Sequence, residues 1–108
     1  MVEDLEIHPG DLRQRLDRGE RILLIDVREP WEHALCRLPG AKLIPLGSLA
    51  SNVAALPDAG PVICYCHHGM RSLDAAAWLR GQGIAGAKSL AGGIDRWSLE
   101  MDPSIARY

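Results

Sequence analysis

The sequence predicts an α/β fold with a mainly parallel central sheet and helices on both faces. Two runs, Ile22-Leu23-Leu24-Ile25-Asp26-Val27 and Pro61-Val62-Ile63-Cys64-Tyr65-Cys66, are apolar without polar alternation, as strands covered on both faces are. Segments with helical spacing lie between and beyond them, so strands alternate with helices. No repeat, low-complexity tract or linker interrupts the 108 residues, a length that suits one domain over residues 1–108.

Each element has its own signal. His8-Pro9-Gly10-Asp11 is a turn feeding a short helix through Leu12 and Leu16, which Gly19 ends. The first buried strand follows over residues 22–27. Pro30 suits the first turn of a helical segment over residues 30–35. Pro39-Gly40 turns the chain into a short strand over residues 41–46, confined by Pro45 to an edge or a strand end. Residues 48–56 read as another short helix. Beyond the second buried strand, Leu73, Ala76, Ala77 and Arg80 fall at helical spacing, and Ala75-Ala76-Ala77 lets that helix lie close on a sheet. This helix, over residues 72–80, ends at Gly81 and Gly83. Residues 87–90 form a last short strand, Gly92-Gly93 a turn, and residues 94–100 a final helix.

Composition limits the function. Hydrophobic residues make up 47% and charged residues 24%, which excludes a disordered chain, a fibre or a disulfide-packed miniature. Twelve basic residues against fourteen acidic ones leave a net charge of −2, without electrostatic support for nucleic-acid binding. The longest apolar runs are too short to span a bilayer. The start, Met1-Val2-Glu3-Asp4-Leu5-Glu6, is acidic and lacks the apolar core of a secretory signal. Three cysteines, an odd number, fit the free thiols of an intracellular chain. The expectation is a cytoplasmic domain with neither a nucleic-acid nor a membrane partner.

In an open α/β sheet, sites form beyond the carboxyl ends of the strands. Asp26-Val27-Arg28 leaves the first buried strand and Cys66-His67-His68-Gly69-Met70-Arg71 leaves the second, so parallel strands open both segments on one edge. Cys66 then ends its strand with a helix a few residues on, where free amides and the helix dipole favour a thiolate. Arg71 closes the loop with a forked donor suited to oxyanions. Arg28, Arg37 and Arg71 are expected to make this edge locally positive for a small anionic substrate. A buried core thiol is the commonest fate of a free cysteine. That reading suits Cys64, whereas Cys66 faces a His/Gly/Arg loop. A Cys64–Cys66 bridge within one strand has poor geometry. The C-x-C-H-H run lacks the paired spacing of zinc sites, so no metal is expected, and His67 and His68 read as exposed loop histidines.

Four motifs, in order, carry a family resemblance. They are Asp26-Val27-Arg28-Glu29-Pro30-Trp31-Glu32, Leu38-Pro39-Gly40-Ala41, the loop from Cys66 to Arg71, and Gly92-Gly93-Ile94-Asp95-Arg96-Trp97. They resemble the D-V-R-E-x-x-E, I-P-G-A, C-x-x-G-x-R and G-G-x-x-x-W segments of the rhodanese family, specifically its single-domain bacterial members, over residues 12–97. The resemblance implies a rhodanese-like sulfurtransferase in which Cys66 is the nucleophile and becomes a persulfide. The backbone amides of His67, His68, Gly69, Met70 and Arg71 would cradle the outer sulfur, and Asp26 and Arg28 would hold the neighbouring strand end. Trp97 and Trp78 read as core. No metal or organic cofactor is implied. The donor would be a small anionic sulfur compound, thiosulfate or a persulfide, and the acceptor a thiol or a sulfur-carrier protein. The second acceptor is suggested by residues 97–108, which resemble the ending of rhodanese domains fused to sulfur-carrier-activating enzymes. Two positions depart from the family: Cys36-Arg37 stands where Gly-His is usual, and His33 where an aromatic residue is common. Cys36 reads as a buried thiol or, alternatively, as a resolving thiol. The rival readings are a cysteine phosphatase or arsenate reductase of the same fold, and a non-catalytic rhodanese-like binding module. Such phosphatases place five residues between cysteine and arginine; here there are four.

Overall fold

A computed structural model of the chain describes residues 5–56 and 60–108. Residues 1–4, most of the start read for a secretory signal, lie outside the described residues. Five strands, β1 (Glu6–Ile7), β2 (Leu23–Asp26), β3 (Lys42–Leu43), β4 (Val62–Tyr65) and β5 (Lys88–Leu90), form one sheet in the order β1-β5-β4-β2-β3. Every neighbouring pair is parallel. The α-helices are α1 (Pro9–Asp17), α2 (Pro30–Leu35), α3 (Leu49–Asn52), α4 (Met70–Gly81) and α5 (Gly93–Glu100).

The two apolar runs become the central strands because their alternate side chains fill two cores. In β4, Val62 and Cys64 join Ile25, Leu49, Ala75 and Leu79 on the α3/α4 face. Ile63 and Tyr65 join Leu12, Leu24, Ile94 and Trp97 on the α1/α5 face. The expected helices on both faces are therefore present, and Trp97 is core. Leu23 pairs with Val62 and Asp26 with Tyr65, so β2 and β4 end level with each other. From β2 the chain steps outward to β3, then returns to β4 on the other side. The gap between β2 and β4 is thus the switch point of the sheet, where open α/β folds bind ligands.

Five elements differ from their sequence patterns. β1 has two residues, too few to show a period, and adds an edge beside β5. The strand expected over residues 41–46 contracts to β3, although Ile44 and Leu46 still donate to the carbonyls of Asp26 and Val27 at 2.9 and 3.0 Å. Pro45, lacking an N–H, stands between those two donors. The helix expected over residues 48–56 is a 3₁₀ turn (Leu46–Ser48), one α turn and a second 3₁₀ turn (Val53–Ala55). There Ser51 and Asn52 bond the Ser48 carbonyl with their side chains, competing with regular helix bonds. Finally, α4 starts at Met70 and not at Ser72, and the ladder stops at Tyr65, one residue before Cys66. Among the described residues, no helix is long and apolar enough to cross a membrane.

Candidate functional site

Cys66 leaves β4 with its side chain on the α4 face, in the cluster that holds Val27 and Ala75. The residue is 1% exposed. The loop then reverses into α4 through Gly69, whose φ of +104° is open to glycine without strain. This reversal aims the Gly69 amide at Cys66 Sγ at 3.1 Å. Ser72, in the first turn of α4, adds its amide at 3.4 Å and its hydroxyl at 3.4 Å. Amides in a first helical turn have no carbonyl one turn back to bond, so they are available to an anion. The Ser72 hydroxyl is in turn 2.7 Å from that of Ser89 on β5, and both serines are fully buried.

The loop is also held from behind. Ile94 and Asp95, in the first turn of α5, donate to the carbonyls of Cys66 and His67 at 2.9 and 3.1 Å. Gly93 lets α5 come that close: a Cβ there would overlap both carbonyl oxygens, and its φ is +63°. The Gly92-Gly93 pair is therefore a contact with the loop as well as a turn.

The neighbouring strand end is an ionic assembly. Arg28 is fully buried and forks onto Asp26, Nε to Oδ1 at 2.8 Å and Nη2 to Oδ2 at 2.7 Å. Asp26 also accepts from the Arg28 amide and the Tyr65 hydroxyl, and pairs with His33 Nδ1 at 2.8 Å. Burial pushes the Asp26 carboxyl up, but the hydrogen bonds from Arg28 and His33 outweigh it and hold it below the ordinary range. A second pair lies beside the first: Arg71 donates to both oxygens of Glu32, at 2.7 and 2.9 Å. These bonds lower the Glu32 carboxyl to about 2. Glu32 Oε1 also accepts the Glu29 amide, half of the capping box that starts α2. Tyr108 stands between the two pairs. Its hydroxyl accepts from Arg28 Nη1 at 2.9 Å and donates to Glu32 Oε2 at 2.6 Å. Burial, reinforced by Glu32, raises the phenol to about 12, so it keeps its proton.

These contacts revise several expectations. Arg28 and Arg71 do not present free charge, because Asp26 and Glu32 neutralise them; of the three arginines, Arg37 is exposed and bonds the His33 carbonyl. Arg71 turns its fork to Glu32. Of the five loop amides from His67 to Arg71, the one bonded to Sγ is that of Gly69, and Ser72 beyond the loop supplies the second. His67 is no exposed loop residue: its ring is sandwiched between His68 at 3.9 Å and Tyr108 at 3.8 Å. Burial, then the neighbouring His68, lowers its pKa. His68 is exposed, as expected, and so is Met70. Cys64 is fully buried, and burial pushes its thiol up to about 12. Cys36 is half-buried; its carbonyl accepts from Arg28, and all three thiols are free. Sequence reasoning missed Ser72, Ser89, Glu32 as the partner of Arg71, His33 as a partner of Asp26, and Tyr108.

His67, His68 and Asp95 bring one ligand atom each within 4.8 Å of one another. The two imidazoles are stacked 26° from parallel, so their in-plane lone pairs do not converge on one point, and Arg107 already holds Asp95 at 2.9 Å. This trio is not arranged as a metal centre. The chemistry available at the site is that of a nearly sealed sulfur with two amides and a hydroxyl aimed at it.

Comparison with known proteins gives a consistent picture. A family model described as the rhodanese-like domain matches residues 8–100. A sulfurtransferase of Allochromatium vinosum is 36% identical over 101 residues, covering 94% of each chain. The probable adenylyltransferase/sulfurtransferase MoeZ of Mycobacterium tuberculosis is 38% identical over 104 residues, which span 94% of this chain and 26% of that protein. Among solved structures, a rhodanese-related protein from Thermoplasma volcanium superposes with a TM-score of 0.82 at 26% identity, covering 95% of this chain and 98% of that one.

Proposed function

The chain belongs to the rhodanese-like domain family, and from that premise we propose that it transfers sulfane sulfur through a persulfide on Cys66. The observation that carries the reading is the set of donors on one sulfur: the Gly69 amide, the Ser72 amide and the Ser72 hydroxyl, all at the N-terminus of α4. Such a pocket stabilises negative charge on sulfur in either partner of the exchange.

In the first half-reaction the Cys66 thiolate attacks the outer sulfur of thiosulfate. A Cys66 S–S bond forms, the donor S–S bond breaks, and sulfite leaves with the electron pair. We infer that the amides of residues 67–71, of which that of Gly69 already bonds Cys66 Sγ, hold the outer sulfur of the resulting persulfide anion. In the second half-reaction a thiol acceptor or a sulfur-carrier protein attacks that outer sulfur, and Cys66 leaves as the thiolate. Asp26 and Arg28 take no part in bond making; they fix the end of β2 beside the loop. No step requires a metal or an organic cofactor. Three free thiols suit a reducing compartment such as the cytoplasm.

The phosphatase reading fits less well. Four residues separate Cys66 from Arg71, Arg71 is engaged bidentately by Glu32, and a residue 1% exposed admits a single sulfur more readily than a phosphate ester. Initial rates with thiosulfate and cyanide test the proposal. Parallel double-reciprocal lines, abolished by Cys66→Ser, are expected; turnover of thiosulfate that survives Cys66→Ser contradicts it.

A further inference from the structure

Residues 101–108 fold back from α5 toward the site. Ser98 Oγ donates to the Ile105 carbonyl at 2.6 Å, Arg107 pairs with Asp95, and Met101, Ile105 and Tyr108 pack against the α1/α5 core. This path brings Tyr108 to the catalytic edge, where it meets Arg28 after β2, Glu32 on α2 and His67 in the loop after β4. We propose that Tyr108 is a positioning residue of the sulfur-transfer site, gripping the Cys66 loop at both ends so that Gly69 and Ser72 stay aimed at the sulfur. The inference rests on the reading of Cys66 as the sulfur carrier, and it adds a residue that the family motifs do not include.

The grip at the near end is the ring. His67 follows Cys66 directly, and its imidazole lies on the Tyr108 ring at 3.8 Å and 6° from parallel. The grip at the far end is the hydroxyl. It donates to Glu32 Oε2, both Glu32 oxygens hold Arg71, and Arg71 is the residue before Ser72. The Tyr108 hydroxyl also accepts from Arg28 Nη1, so the far grip is tied to the fully buried Asp26–Arg28 pair. Without the hydroxyl, Arg28 Nη1 faces the Cys36 sulfur at 3.9 Å, and Glu32 Oε2 keeps one donor, Arg71. A loop released at both ends has more freedom, and each amide spends less time in line with Sγ.

The two grips separate by mutation. Tyr108→Phe keeps the ring on His67 and removes the hydroxyl; Tyr108→Ala removes both. The charged and titratable groups around Tyr108 are Asp26 and Arg28 after β2, Glu32 and His33 on α2, His67 and His68 in the loop, Arg71 on α4, and Asp95 with its partner Arg107. All are present in both variants, so a change at Cys66 reports geometry and not a lost charge.

The readout is the rate at which iodoacetamide labels Cys66, followed on its own peptide by mass spectrometry across a pH series. Lost hydrogen bonding to a thiolate is expected to slow labelling about threefold in Tyr108→Phe and about tenfold in Tyr108→Ala. The kcat/KM for thiosulfate should fall in parallel. Leu16→Ala, a truncation of a half-buried leucine on α1, controls for stability and should leave the profile in place. A folded Tyr108→Phe protein with the wild-type labelling profile overturns the proposal, and this variant decides the matter if Tyr108→Ala does not fold. If the wild-type protein takes no sulfur from thiosulfate, the functional reading fails at that donor, while the labelling profile still judges the role of Tyr108.

Discussion

Replacing Ser72 by alanine separates the reactivity of Cys66 from the stability of the fold. Ser72 and Ser89 are fully buried, their hydroxyls 2.7 Å apart, and Ser72 Oγ is 3.4 Å from Cys66 Sγ. Two hydroxyls carry two protons. When the sulfur is a thiolate, Ser89 donates to Ser72 and Ser72 donates to the sulfur, so every proton has an acceptor. Ser72→Ala deletes one of three donors to Sγ and keeps both amides. A hydrogen bond to a charged group contributes about 1.5–3 kcal/mol, and the long O···S separation places this one near the lower limit, equivalent to about tenfold in thiolate reactivity. The same change strands the Ser89 hydroxyl in the core, at a cost of about 1–3 kcal/mol in stability. Adding Ser89→Ala removes the stranded group, so the double variant should regain most of the stability but none of the reactivity. Urea midpoints give the first quantity and iodoacetamide labelling of Cys66 at fixed, mildly acidic pH gives the second. Wild-type labelling in Ser72→Ala, or a double variant no more stable than Ser72→Ala, refutes the relay.

Other perturbations have equally definite outcomes. Asp26→Asn leaves the buried Arg28 charge facing a neutral amide and should destabilise by about 3–5 kcal/mol in urea unfolding; a loss below about 1 kcal/mol contradicts the ionic account of the β2 end. Glu32 is depressed from its ordinary 4.5 to about 2, so its contribution is complete above the ordinary value and fades as pH falls toward the depressed one. Wild-type stability measured by urea midpoints should therefore drop between those two pH values, and Glu32→Gln should flatten that part of the curve by about 2 kcal/mol, allowing for the solvent around Arg71. Gly93→Ala drives a Cβ into the carbonyls of Cys66 and His67 and should lower both the melting temperature and the labelling rate of Cys66. Loss of stability with unaltered labelling would separate Gly93 from the loop.

The two apolar runs made the centre of the fold legible, and with it the site. Because each run ends where its polar segment begins, Asp26-Val27-Arg28 and Cys66 had to emerge together once the strands were parallel. Pro30 and Gly19 placed α2 and the end of α1; of the Ala75-Ala76-Ala77 patch on α4, Ala75 and Ala76 are buried, whereas Ala77 faces solvent. What stayed hidden depends on long-range pairing. Arg71 carries a fork suited to oxyanions, and nothing local shows that Glu32, thirty-nine residues away in sequence, takes it. Tyr108 reaches Glu32 across seventy-six residues through a tail with no periodic pattern. Ser72 was within reach of sequence reasoning. Starting α4 at Met70, with Gly69 as the N-cap, puts Ser72 in the first turn with its amide directed at Cys66. Placing the start at Ser72 itself concealed this. The strand over residues 41–46 and the helix over residues 48–56 were overextended for local reasons, a proline at Pro45 and the side-chain bonds of Ser51 and Asn52.

The central claim is that Cys66 carries the transferred sulfur, and intact-protein mass spectrometry after incubation with thiosulfate tests it most directly. The expected result is a gain of one sulfur atom, reversed by cyanide and absent from Cys66→Ser. A folded protein that gains no sulfur from thiosulfate or from a persulfide donor, or a Cys66→Ser protein that still gains it, would contradict the claim.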